Sequence, residues 1–118
     1  MNTELRTFYL KELAAAADAE NRGDDGTAFR HLERAHILSQ KFALAHAATH
    51  LRMFRLGWRR RDAREVLGQL TRAVAALLFS RLWVPVGNTG RANVSAFEPM
   101  PVPEDLANVL RHPNNSNN

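Results

Sequence analysis

The stretch from Ala28 to Gly57, AFRHLERAHILSQKFALAHAATHLRMFRLG, holds four of the chain's five histidines and reads as one helical hairpin. Small and apolar residues recur at helical spacing on both sides of a short break near Lys41. Ala28, Phe29, Leu32, Ala35, His36 and Ser39 share one inner face. Ala43, His46, Ala47, His50 and Phe54, with Met53, share the other. With the turn centred near residue 41, antiparallel packing sets positions whose numbers sum to about 82 at one height. His36 then faces His46, and Glu33 faces His50. Helical geometry also places Glu33 beside His36 at i, i+3 and His46 beside His50 at i, i+4.

Glu33, His36, His46 and His50 are therefore the candidate metal ligands. The chain has no cysteine, so a metal site must be built from imidazole and carboxylate. Those ligands suit a divalent transition metal, Zn²⁺, Ni²⁺, Cu²⁺ or Fe²⁺, and Glu-x-x-His is a spacing that bundle metal proteins use. A dimetal centre is not expected, because none of Glu12, Asp18 and Glu20 stands in a second Glu-x-x-His. Two other readings compete. The histidines can be core polar groups, each satisfied by a hydrogen bond, with Glu33 paired to Arg30, Arg34 or a histidine. They can also form an acid–base or ligand site. His31 is expected on the opposite face and His112 in a solvated tail.

Around the hairpin, helical periodicity predicts a supporting helix over residues 3–21, with Leu5, Phe8, Tyr9, Leu13, Ala16 and Ala17 inward and Thr3 as N-cap. Gly23 supplies a C-cap, and Asp25 or Thr27 caps a second helix running to Gln40. The third helix spans about residues 43–56 and breaks at Gly57. A fourth runs from Asp62, a natural N-cap, to about Leu82, ahead of Pro85. On it Val66, Leu67, Leu70, Val74, Leu77 and Leu78 are expected inward, with Arg64, Gln69 and Arg72 outward.

Beyond Pro85 the sequence turns irregular. Asn88-Thr89-Gly90 reads as a turn; without a lysine or a following helix it lacks the makings of a phosphate loop. Val94 to Phe97 reads as a short extended piece, and Pro99, Pro101 and Pro103 keep the backbone out of helix. A short helix is predicted to start at Pro103-Glu104-Asp105-Leu106 and to dock through Leu106, Val109 and Leu110. Phe97 and Met100 suggest that this arm packs back on the helices.

The resulting expectation is an all-α protein with four main helices in two stacked antiparallel hairpins and a Pro-rich irregular C-terminal arm. Residues 1–112 form one helical domain: 3–40 the first hairpin, 43–83 the second, 84–112 the arm; residues 113–118 are a disordered tail. Ala28, Leu32 and Ala35 align with Ala63, Leu67 and Leu70 at an offset of 35, which resembles the tetratricopeptide pattern. The second unit departs from that pattern at Leu70 and in its turn, and His46 and His50 replace its usual aromatic and glycine.

Charge is unevenly spread. Residues 1–25 hold six acids against three cations, whereas six arginines lie between Arg52 and Arg64. With Trp58 between them, Arg52, Arg55, Arg59, Arg60, Arg61 and Arg64 are a candidate interaction surface for a protein partner or a second copy of the chain. Nucleic acid is not expected, since no recognition motif accompanies the charge. No secretory leader and no apolar run near the bilayer-spanning length of about 20 residues is present, so a cytoplasmic protein without membrane insertion is expected. No strand-turn-helix nucleophile elbow occurs, which points away from that kind of enzyme.

Three segments, HLERAHILSQ at 31–40, HAATHLRMFRLGWRRRDAREVLGQL at 46–70 and VPVGNTGRANVSAFEPMPVPEDL at 84–106, carry a resemblance that covers nearly the whole chain. The chain resembles a small bacterial family known as a domain of unknown function, whose members are often encoded near heavy-metal resistance genes. That resemblance implies a link to metal handling, and it carries over no catalytic residues because none is established for the family. Two functions thus stand as expectations: a non-enzymatic accessory protein that binds a divalent metal, in metal resistance, and a metal-free helical interaction module that uses the arginine-rich surface.

Overall fold

The computed structural model describes residues 1–79, 86–92, 95 and 98–111. Among the described residues, five α-helices account for the regular structure: α1 (Thr3–Asn21), α2 (Asp25–Ser39), α3 (Ala43–Arg59), α4 (Ala63–Phe79) and α5 (Glu104–Arg111). Successive helices pack as neighbours, α1 on α2, α2 on α3 and α3 on α4, while α5 lies across α1 and α2. The all-α architecture of adjacent helix pairs is as the sequence predicts.

Helix boundaries follow from local chemistry. Asn2, rather than Thr3, caps α1 by accepting from the Leu5 N–H at 2.8 Å, and Asp24, rather than Asp25 or Thr27, caps α2 through the Thr27 N–H at 3.1 Å. Each side chain takes up one of the amides that a helix start leaves unpaired. Gly23 ends α1 at φ 74°. Asp62 caps α4 through the Glu65 N–H at 3.2 Å, as expected. The break expected at Gly57 comes later: α3 continues to Arg59, and Arg61 takes a left-handed φ of 55°. Gly57 has a packing role instead. A Cβ there would lie 2.9 Å from the Glu65 Cβ, so α3 and α4 can cross this closely only at a glycine.

Two apolar clusters hold the first three helices and α5 together. One joins Leu5 and Tyr9 of α1 to Ala35, Ile37 and Leu38 of α2 and to Leu106 and Val109 of α5. The other joins Ala16 and Ala19 to Ala28, Phe29 and Leu32 and to Met53 and Leu56 of α3. Arg34 ties α5 down, donating to Glu12 at 2.8 Å and to Asp105. The predicted inward face of α2 is buried throughout.

The fourth helix corrects the sequence reading. Glu65, Gln69, Ala73 and Ala76 point inward and are buried, whereas Leu67, Leu70, Val74, Leu77 and Leu78 are each about half to two-thirds exposed, from 49% to 68%. Hydrophobic periodicity located the helix and reversed its orientation; the tetratricopeptide alignment, which set Leu67 and Leu70 inward, fails at the same point. The inward polar face belongs to a hydrogen-bond network described below. Arg72 also turns in, its Nη1 donating to the Gly90 carbonyl at 2.9 Å.

The arm after the fourth helix returns to the helices. Met100 N–H donates to the Val86 carbonyl at 2.9 Å, and the Gly87 N–H donates to Gln40 Oε1 at 3.2 Å. The helical expectation for 80–82, the strand-like piece ending at Phe97, His112 and the tail 113–118 lie outside the described residues. Among the described residues no helix is long and apolar enough to cross a membrane.

Candidate metal centre

His36 from α2 and His46 and His50 from α3 meet in the interior. Their ring centroids stand 4.7, 4.7 and 4.8 Å apart. His46 Nε2 lies 2.9 Å from His36 Nε2 and 3.1 Å from His50 Nε2. All three residues are buried. Glu33 stands outside this group: its carboxylate accepts from Arg91 Nη1 at 3.2 Å, and Arg91 pairs with Glu65 as well.

The opposite ring nitrogens decide the chemistry. His36 Nδ1 lies 2.7 Å from the main-chain carbonyl of Asn88, which can only accept. His46 is hydrogen-bonded to the main chain of Gln40; with Nε2 turned to its neighbours, Nδ1 is the donor. His50 Nδ1 lies 2.5 Å from Gln69 Oε1. The orientation of that amide is fixed from behind, because Gln69 Nε2 donates to Glu65 Oε2 at 2.9 Å and to the Gly90 carbonyl at 2.8 Å. Each Nδ1 therefore carries its ring's proton, and each Nε2 presents a bare lone pair.

Three convergent lone pairs cannot hydrogen-bond one another. They need a proton or another electrophile between them. A proton is disfavoured at neutral pH: burial drives His46 down to about 4 and His50 to about 3. His36 also falls well below the ordinary histidine range, through burial and the neighbouring His50 and His46. A metal ion fits the donor set. Neutral imidazoles with their second nitrogen bonded to a carbonyl are the usual form of metal-bound histidine, and those outer bonds fix the tautomer. A tetrahedral ion with Zn–N bonds of about 2.0–2.1 Å wants nitrogens about 3.3 Å apart, within a few tenths of an ångström of the two separations that His46 Nε2 makes with its neighbours. The three histidines form the single group of at least three His, Cys, Asp or Glu donors close enough to share an ion among the described residues.

The supporting shell comes from α4 and the 86–92 loop, and the sequence reading missed it. Gln69, expected to face solvent, is fully buried. Glu65 anchors it and is itself held by Arg91 Nε at 2.5 Å and the Ala92 N–H at 3.2 Å. Asn88, read as part of a turn, does more. Its Nδ2 donates to the carbonyls of Ser95 and Glu98, both at 2.7 Å, and its Oδ1 accepts from the Gly90 N–H at 2.9 Å. That folds the loop so that its carbonyl meets His36. Gly90, at φ 80°, lies flat on the ring; a Cβ there would come within 2.6 Å of His36 Cδ2. The one sequence signal for this shell was the polar pair Glu65 and Gln69 at i, i+4 in a helix rich in apolar residues.

His31 points away from the cluster, as expected, with Nδ1 2.7 Å from Glu12 Oε2. The arginine-rich residues are dispersed. Arg52 lies half-buried and reaches the Leu13 carbonyl at 3.5 Å. Arg59 pairs with the buried Glu20 at 3.3 Å, and the Arg60 guanidinium lies 5.5 Å from the Phe29 ring centroid. Arg55, Arg61 and Arg64 are exposed, and Trp58, 66% exposed, stacks loosely on Phe54.

Comparison with curated proteins and with solved structures returns no match. The signature of one protein family matches residues 3–110, a span that includes all three histidines and every residue supporting them. The chain therefore belongs to that family, DUF3703, described as a protein of unknown function.

Proposed function

We propose that this protein binds one divalent transition-metal ion through the Nε2 atoms of His36, His46 and His50. The observation that carries the reading is the pairing of every Nδ1 with a carbonyl oxygen, which leaves three lone pairs aimed at one point. Three neutral nitrogens suit Zn²⁺, Ni²⁺, Cu²⁺ or Fe²⁺. They leave at least one coordination position for water or a small anion. The role is that of a non-enzymatic accessory protein, and the metal-resistance setting implied by the family resemblance is consistent with it. Glu33, held by Arg91, is not needed as a ligand.

The test is the unfolding midpoint of chelator-treated protein with and without each metal. A ligand that binds only the folded state, at a hundredfold excess over its dissociation constant, adds about 2.7 kcal/mol. The gain should vanish in His46→Ala and His50→Ala and persist in Glu33→Gln. No gain with any of the four metals, or a gain kept by both histidine variants, would contradict the proposal.

A further inference from the structure

The outward face of α4 is an apolar feature that the metal proposal leaves unused. Leu67, Leu70, Val74 and Leu77 are spaced three, four and three residues apart, and Leu78 widens the stripe. This is the a/d repeat of a helix that packs along another helix, here over two heptads. All five residues are 49% or more exposed. Among the described residues helix α4 packs on α3 alone of the helices, so the stripe has no helical partner there. In stacked helical hairpins a terminal helix with no further partner normally carries a polar outer face.

We infer that this face joins two copies of the chain through an antiparallel α4–α4 contact. Three observations favour a second copy over a different partner. The stripe is self-complementary: in the antiparallel register Leu67 meets Leu77 of the other copy and Leu70 meets Val74. Its flanking positions, Val66, Thr71, Ala73 and Leu78, carry no charge, so no like-charge repulsion opposes a copy of itself. Closing five half-exposed side chains would also remove on the order of 500 Å² of apolar surface from each protomer, at the upper end of a monomer's largest patch. A polar rim brings this near the roughly 800 Å² per partner of a standard interface.

Charge selects the antiparallel form. A parallel pair would set Arg64 against its own copy, whereas the antiparallel pair brings Arg64 to the C-terminal end of the opposing α4, where the helix dipole favours a cation.

The test is the molar mass of the full chain by sedimentation over a concentration series. The parent should be a dimer in the micromolar range. Leu70→Glu and Leu77→Glu should each weaken dimerisation by on the order of a hundredfold or more, since each buries an unpaired charge. Both positions are exposed in the protomer, so the helical circular-dichroism signal should be unchanged. The parent lacks cysteine, so orientation can be read directly. A mixture of Leu70→Cys and Val74→Cys proteins should oxidise to the mixed disulfide, and neither protein alone should cross-link. A parent that stays monomeric at several hundred micromolar, or dimers that persist in both glutamate variants, would overturn the inference. Cross-linking of each single variant with itself would overturn the antiparallel register.

Discussion

The two halves of this small helical protein are built on opposite rules. In the first, α1, α2 and α5 pack an apolar core around Leu5, Tyr9, Leu38, Leu106 and Val109, and the buried acids of α1, Glu12 and Glu20, are held by Arg34 and Arg59. In the second, the α3–α4 pair buries His46, His50, Glu65 and Gln69, and α4 turns its leucines outward. Burying polar groups is tolerable only when each is paired, and here they are paired in a chain running from Arg91 through Glu65 and Gln69 to His50. The difference teaches that α4 is oriented by what it must hold. An ordinary core would have accepted its apolar face.

Substitutions that strike one half and spare the other sharpen this contrast. Glu65→Ala should be the most damaging, about 3–5 kcal/mol by chemical denaturation, because it strands Arg91, the Ala92 amide and the Gln69 side chain together. It should also weaken metal binding, since His50 loses its fixed partner. Leu38→Ala, in the apolar half, should cost about 3 kcal/mol through the cavity it opens. It should leave the metal affinity of the folded protein unchanged. Equal effects of both variants on metal affinity would erase the distinction between the halves.

Acid should act on the polar half first. The buried histidines are neutral when folded, and they titrate near 6.5 once unfolded. Above that pH neither state binds protons and stability is at its full value. As pH falls from about 6.5 towards about 4 for His46 and about 3 for His50, the unfolded chain takes up protons that the folded chain refuses, so stability drops. Each such histidine contributes about 1 kcal/mol per pH unit. Urea midpoints measured in chelator across this range should show that slope, and His46→Gln should make it shallower. A midpoint flat between pH 6.5 and 5 would mean that the cluster is open to water. The smallest effect is Tyr9→Phe. Removing its 3.1 Å bonds to the Ala45 carbonyl and Thr49 Oγ1 should cost about 1 kcal/mol, with no metal phenotype.

Much of this was legible in the residues. Helical periodicity gave the five helices, and the hairpin's turn at Lys41 was enough to bring His36 and His46 to one height with His50 a turn away. Glu33 shared the same helical face in projection, but Arg91, 58 positions further along the chain, takes its carboxylate. No local pattern encodes that pairing. The orientation of α4 failed for a related reason: periodicity reports where apolar residues lie, and the network that turns Gln69 inward involves His50 and Gly90, one before the helix and one after it. Asn88 read as a turn former because that is its local role; its contact with His36 spans 52 positions.

The central claim is that three unprotonated Nε2 atoms converge on one point, and imidazole ¹⁵N NMR of the chelated protein tests it most directly. For His36, His46 and His50 at pH 7.5, the account predicts a proton on Nδ1 and a bare Nε2. Adding one equivalent of Zn²⁺ should shift all three Nε2 resonances together and leave the Nδ1 protons in place. A proton found on Nε2 of any of the three rings, or a zinc response confined to His31 or His112, would contradict it.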